Sequence, residues 1–487
     1  MHSSLLLLLA MPTTMVVAAA AARTDKPRLM WLPPLVVALL LLSGALLEAA
    51  AAAAGTSTTS ADDAASSTSS LAAERAATGR RSRLLVASQS TFFSLDSYGA
   101  RGDGRHDDTQ ALARAWEAAC FSPRPAVLLV PGGKRYLLKL VALSGPCKSS
   151  VTVTVEGTLV ASRDRSDWIG GGGGTDRRRH WIVFRQVDGL TVGGGGAVDG
   201  SGETWWKHSC KINKDLPCEE APTALSFHYC TSLRVHDLKI VDSQQIHVSI
   251  EDCTGVQLTG LSITAPGTSP NTDGIHITRS RDVQVTNCKI KTGDDCLSIE
   301  AGTHDLHVSQ IVCGPGHGIS IGSLGDDNSR AEVSGITIDT VQLYGTTNGA
   351  RIKTYQGGSG YARDITFQNM AMHGVENPIV IDQDYCDKRQ ATSPPCEAQG
   401  SSSSSAVEVS DVAFRNIRGT TVSKDAIKLS CSWNVPCHGI TLQNISLEML
   451  GGKGTAESTC RNARWRTSGT VLPQPCTSFI DLGHGSN

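Results

Sequence analysis

Aromatic side chains are scarce in this chain, 5% of 487 residues, and neither sign of charge prevails: 44 Lys and Arg stand against 46 Asp and Glu, a formal net charge of −2. With no long basic run, the electrostatic footprint of a nucleic-acid binder is missing. The paired CxxC spacings of a zinc site are absent too, although fifteen cysteines spread from Cys120 to Cys476. Cysteines in that number without metal spacing read as disulfides, and so as an oxidising compartment. Their odd count leaves at least one thiol free or pairing between chains. Glycine is plentiful, 49 residues, which suits many short strands joined by tight turns better than a helical bundle.

The N-terminal region carries targeting features. Arg23, Lys26 and Arg28 precede an apolar run from Trp31 to Leu47 and the small residues Ala49 to Ala54. That order is the order of a secretory signal cleaved near residue 54. The run is short for a bilayer span, which weighs against an uncleaved anchor. An earlier apolar stretch, Leu5 to Ala22, lacks a basic flank, so Met30 is an alternative start. Losing residues 1–54 removes three basic and two acidic side chains and moves the net charge from −2 to −3. Residues 55–88, rich in Ser, Thr and Ala, read as a disordered linker or propeptide. The folded domain is then 89–487, expected to be a monomer. Asn444-Ile445-Ser446 is an acceptor for N-glycosylation, compatible with secretion.

FFSLDSYGARGDG from Phe92 alternates and then breaks at glycines, and a helix is expected behind it, capped by Asp108 and burying Ala111, Leu112 and Trp116 on one face. Further on, eight β-branched segments of one design begin at Leu233, Val256, Val283, Leu306, Ile336, Ile365, Val412 and Ile440, spaced 23, 27, 23, 30, 29, 47 and 28 residues apart. These intervals leave no room for crossover helices. They describe a solenoid of parallel strands, most simply an all-β, right-handed parallel β-helix, in which ten or so coils build a core none could bury alone. The N-terminal helix would cap its open end. The 47-residue interval holds Cys386, Cys396 and a serine run, Ser401 to Ser405, and reads as a loop insertion. Gly170 to Gly174 with Arg177 to Arg179 reads as another loop, its arginines a solvated face.

Architecture alone does not name a function. Polar turns between Asn271 and Lys353 do more: NTDG at 271–274, TGDDC at 292–296, GHG at 316–318 and RIK at 351–353. Singly, each is an ordinary turn sequence. Asp273 and Asp294 are 21 residues apart, however, and Asp294 and His317 are 23 apart, each close to one coil. Strands about 4.8 Å apart would stack these side chains in one patch. Arg351 and Lys353, at i and i+2, share a strand face on the next coil. Adjacent Asp294 and Asp295 can both face the patch only across a bend, which Gly293 permits. Carboxylates this close cannot all ionise freely, so one keeps its proton, supplying an acid beside a base, as glycoside hydrolysis requires. Arg and Lys would favour a carboxylated sugar chain. The pairs Asp107/Asp108 and Asp326/Asp327 lack such neighbours and read as structural.

NTDG, GDDC, GHGISIGS and RIK, in that order and spacing, resemble the plant polygalacturonases of the pectin-degrading glycoside hydrolase family 28, over roughly residues 90–480. YGARGDG, DDTQALARAW, DGSGETWW and VIDQDYC are similar to further family segments. The resemblance implies a right-handed parallel β-helix that hydrolyses α-1,4 bonds of polygalacturonic acid with inversion, outside the cell, with no metal or cofactor. It implies Asp294 as general acid, Asp273 and Asp295 as the carboxylates that activate water, and His317 as support for the acid. Arg351 and Lys353 would bind the substrate carboxylate, and Tyr385 would contact the sugar. It also suggests disulfides Cys296–Cys313, Cys431–Cys437 and Cys460–Cys476. Two other readings stay open: a calcium-dependent lyase with an arginine base, and a wall-binding β-helix without catalysis.

Overall fold

The computed structural model describes residues 90–168, 179–386, 406–452 and 454–476. The expected signal, linker, glycine loop and serine-run insertion therefore lie wholly or mostly outside the described residues. Strands begin at Thr91–Ser94 and assemble into a 19-stranded and an 11-stranded sheet. Neighbouring named strands pair in parallel throughout, for example Ile275–Thr278 with Leu297–Ile299 and then Ile319–Leu324. The architecture is the parallel β-solenoid the repeat predicts.

Seven of the eight repeat starts are themselves a ladder. Leu233 pairs with Val256, Val256 with Val283, Val283 with Leu306, Leu306 with Ile336, Ile336 with Ile365 and Ile365 with Val412. Alternation then sends Val283, Val285 and Ile290 of one long strand inward, each at most 1% exposed, to stack on Leu306, Val308 and Cys313 of the next coil. The wall bends where a left-handed residue interrupts the strand: Asn287, Gln310, Thr340, Asn369, Asn416 and Asn444 have φ between 52° and 58°. Asparagine is enriched there because its short polar side chain tolerates that conformation. Its amides also stack, Asn416 Nδ2 donating to Asn369 Oδ1 at 3.0 Å and Asn444 Nδ2 to Asn416 Oδ1 at 3.1 Å.

The helix spans Thr109–Cys120 and buries Ala111, Leu112, Ala115, Trp116, Ala119 and Cys120. It packs on strands Thr91–Ser94, Ala126–Val130 and Val141–Ser144, covering the N-terminal end of the coil stack as expected. Its cap differs from the expectation. Asp108 occupies the cap position, yet its carboxylate accepts the N–H groups of Arg101 and Gly102 at 2.7 and 3.0 Å. Asp107 takes the Thr109 N–H instead, at 3.0 Å. The glycine-rich loop before the helix needs an acceptor more than the helix end does, because its own amides have no ladder. Disulfides Cys296–Cys313, Cys431–Cys437 and Cys460–Cys476 are formed, together with Cys120–Cys147 and Cys210–Cys218. Cys230, Cys253 and Cys288 are free and buried.

Candidate active site

The site stands on the 11-stranded sheet, where the ends of successive coils are tied by backbone bonds. His247 N donates to Asp273 O at 2.9 Å, Gly274 N to Asp295 O at 2.9 Å and Cys296 N to Gly318 O at 2.8 Å. Each bond places one motif over the next, so the one-coil spacing read from sequence becomes physical stacking. The bend at Asp294 and Asp295 depends on a close approach: a side chain at Gly293 would put its Cβ 2.0 Å from the Ser269 carbonyl oxygen. Thr272 Oγ1 accepts the Gly293 N–H at 3.0 Å and fixes that approach.

Asp294 and His317 form one pair. Asp294 Oδ1 accepts the Asp295 N–H at 2.8 Å and faces His317 Nδ1 at 2.9 Å. The bond to Asp294 raises the His317 imidazole above its usual range, against the opposing effect of burial. Asp295 is the centre of a second, drier group, its side chain 1% exposed. Its Oδ1 accepts from Ser320 Oγ and Arg351 Nη2, both at 2.7 Å, and its Oδ2 from Lys353 Nζ at 3.0 Å. Burial works against its ionisation, but Lys353, Arg351 and the Ser320 bond outweigh it and hold the carboxyl below the ordinary range. Lys353 also lies 5.1 Å from the centroid of the Tyr385 ring.

Asp273 has the opposite environment. Burial first, then the negative Asp294 and Asp295, push its carboxyl well above the usual value, with Ser298 and Lys353 opposing. Crowding thus disfavours the ionised form of Asp273. A buried histidine, His247, and a half-buried one, His276, border it. His247 Nδ1 lies 2.8 Å from the Asp273 backbone carbonyl, which can only accept, so that nitrogen carries the proton. His276 Nδ1 lies 2.9 Å from Ser298 Oγ. Burial brings both imidazoles down to about 4.

Of the seven residues singled out from sequence, Arg351, Lys353 and Tyr385 lie on strands of this sheet and Asp273, Asp294, Asp295 and His317 in the turns leading into its strands, and six are linked through the contacts above: Asp294, His317, Asp295, Arg351, Lys353 and Tyr385. Asp273 joins them through the charges of Asp294, Asp295 and Lys353. What sequence reasoning did not foresee is that both cations rest on Asp295. It also missed Ser298, Ser320, His247 and His276. Ser320 lies inside the GHGISIGS motif and one coil before Arg351, so the same coil counting reaches it. Asp294, Asp295 and His317 could also offer three ligand atoms to a cation, but Arg351 and Lys353 already supply positive charge there. A second cluster of that kind, His180, His228 and Glu251, has its carboxylate paired with Arg279. Asp326 and Asp327 lie in a short 3-10 turn away from these contacts, as expected.

A family model described as glycosyl hydrolases family 28 matches residues 120–470. Among curated relatives, a polygalacturonase of Persea americana is 52% identical over 375 residues, 77% of this chain and 78% of the relative. Polygalacturonase-2 of Solanum lycopersicum is 47% identical over 383 residues, 79% and 80% of the two chains. Among solved structures, a hyperthermoactive exopolygalacturonase from Thermotoga maritima matches with a TM-score of 0.63 at 20% identity, over 78% of this chain and 91% of that one. A polygalacturonase from Erwinia carotovora ssp. carotovora matches with a TM-score of 0.59 at 22% identity, over 74% and 94%. At those identities the structural likeness speaks to the fold.

Proposed function

The chain belongs to glycosyl hydrolase family 28 and is a polygalacturonase acting on pectin, and from that premise we propose how its site divides the labour of hydrolysis. The observation that carries the reading is the division of three stacked carboxyls between a histidine-backed one, a cation-bound one and one crowded by the charge of the other two. Asp294 is the general acid. Its Oδ1 is already occupied by the Asp295 N–H and His317, so the proton it gives to the leaving oxygen sits on Oδ2. Asp273 and Asp295 hold and deprotonate the attacking water on the opposite side of the sugar. That arrangement inverts the anomeric centre, because an acid and base about 6.5–9.5 Å apart leave room for the water.

Arg351 and Lys353 attract the galacturonate carboxylate while remaining joined to Asp295. A bound sugar carboxylate shares these cations and thereby loosens their hold on Asp295, which makes it a better base at the moment substrate arrives. Tyr385, packed on Lys353, supplies an apolar ring face to the sugar. The multiple disulfides fit an extracellular protein, and residues 1–54 are its proposed secretory signal. The proposed working state is a monomer that needs neither metal nor cofactor.

The test is to incubate the secreted protein with polygalacturonic acid, with and without a calcium chelator, following reducing ends and the ultraviolet absorbance of unsaturated products. Reducing ends without absorbance, unchanged by chelation, are the expected result. Chelator-sensitive absorbance would make the chain a lyase, and binding without cleavage would make it a wall-binding β-helix.

A further inference from the structure

One outward-facing row of the site sheet runs in register across five coils: Ser249, His276, Ser298, Ser320 and Arg351. The two central serines are buried, Ser298 3% and Ser320 0% exposed, so their hydroxyls must bond within the protein. The direction of the bonds at Ser320 is fixed. Arg351 Nε can only donate, and it meets Ser320 Oγ at 2.9 Å; the hydroxyl proton then goes to Asp295 Oδ1 at 2.7 Å. One coil earlier the same figure is repeated with a different donor. His276 Nδ1 lies 2.9 Å from Ser298 Oγ, and Ser298 is the hydroxyl that favours ionisation of the neighbouring Asp273 carboxyl.

We propose that Ser298 and Ser320 are paired positioning residues, each relaying a hydrogen bond from a neighbour in its row to one of the two water-activating aspartates: His276 through Ser298 to Asp273, and Arg351 through Ser320 to Asp295. This inference rests on the hydrolytic reading of the site. Its consequence differs for the two aspartates. Asp295 has two cations besides its serine and stays ionised without help. Asp273 faces Asp294 and Asp295, with Lys353 opposing them, while His247 bonds its backbone carbonyl. For Asp273 to act as base, the Ser298 donor is the principal hydrogen bond favouring its ionised form.

The relay to Asp273 also requires a particular imidazole. His276 faces Lys353, Arg279 and Arg179, with Asp295 opposing them, and burial holds it neutral in mild acid. For Ser298 to donate to Asp273, its oxygen must accept from His276, so the proton of the neutral ring is on Nδ1. A neutral donor favours the Asp273 carboxylate without placing a cation beside the acid. Hydrogen bonds in series polarise one another, so the ring strengthens the hydroxyl it feeds.

Two measurements test this. The first is the pH dependence of kcat/KM on polygalacturonic acid for the wild type, Ser298→Ala and Ser298→Thr. Removing a donor to a carboxylate raises its pKa, so Ser298→Ala should move the acid limb upward by about one pH unit, and Ser298→Thr should restore it. A slower Ser298→Ala enzyme with an unmoved limb would show that Ser298 merely packs. The second is the histidine ¹⁵N NMR spectrum of the wild type in mild acid, which needs no turnover. A neutral His276 protonated on Nδ1 is expected; an imidazolium or an Nε2–H ring would overturn the relay. Failure of the hydrolytic reading is separable, since it appears as a wild-type chain that leaves polygalacturonic acid uncut.

Discussion

Asp294 and Asp295 are neighbours in sequence with opposite proposed duties, and they have different partners. Asp294, its side chain 19% exposed, keeps one oxygen unbound, which suits a group that must exchange a proton with substrate. Replacing it by Asn retains shape and the acceptor facing His317 but removes the acid. Turnover of Asp294→Asn should fall by about 10²–10⁴-fold, the usual worth of a positioned proton donor, with an unchanged unfolding midpoint. Reducing-end kinetics beside a thermal melt check both halves; near-wild-type turnover would remove Asp294 from the role. Lys353 is a different case. From its motif alone, Lys353→Ala should mainly raise KM. In the fold Lys353 also holds the buried Asp295, so the variant should lose stability as well, with Arg351 still present to keep the loss below the about 3–5 kcal/mol of a wholly broken buried pair. The sign with pH follows from Asp295. A carboxyl lowered in the native state adds stability above its unfolded pKa, about 3.9, and loses it as pH falls through the native value. Denaturant titrations should therefore show the wild type and Lys353→Ala converging in strong acid; a constant gap would mean that Asp295 does not depend on this lysine.

The strands of the solenoid were largely legible in the sequence, and the reason is repetition; the bends within them were not. Every apolar start from Leu233 to Val412 falls in register because each coil must bury the same face against its neighbours, and that constraint is written into the spacing. The same regularity brought Asp273, Asp294, His317 and Arg351 together from counting alone. Side-chain partners were less legible. Counting coils places Arg351 and Lys353 on the right face, but whether they point to solvent or to Asp295 depends on distances of a few ångströms. Asp107 took over the capping expected of Asp108 because a loop competed with the helix end for the Asp108 carboxylate. The asparagine column shows what a bend position requires. Asn416, with φ of 52°, combines a left-handed backbone with amide bonds to Asn369 and Asn444. Asn416→Ala should lose the ladder bonds and also pay about 1–2 kcal/mol for the left-handed conformation, whereas Asn416→Gly should lose the ladder alone. Thermal melts should rank wild type above Gly and Gly above Ala. Equal melts for the two variants would show that the backbone conformation is not what selects asparagine here.

Stability across the described fold has to accommodate the charges that the site concentrates in its wall, and these act in opposite directions with pH. His247 and His276, lowered to about 4 by burial, add stability above their unfolded value of about 6.5 and lose it as pH falls toward the native one. Asp295 withdraws its contribution lower still. Asp273 has the reverse sign: a carboxyl raised in the native state is most favourable below about 3.9, and its contribution disappears as pH rises through the raised value. At neutral pH the native chain must either hold that proton or ionise Asp273 beside two other carboxylates. Asp273→Asn removes the choice while keeping the shape. Its melting temperature should exceed that of the wild type at pH 7, the gap should close toward pH 4, and turnover should be lost at every pH, a trade of stability for function of the kind active sites make. A gap of the same size at both pH values would assign the change to packing rather than to the proton. A variant less stable than the wild type at pH 7 would mean that the ionised Asp273 is held by more favourable bonds than the one from Ser298.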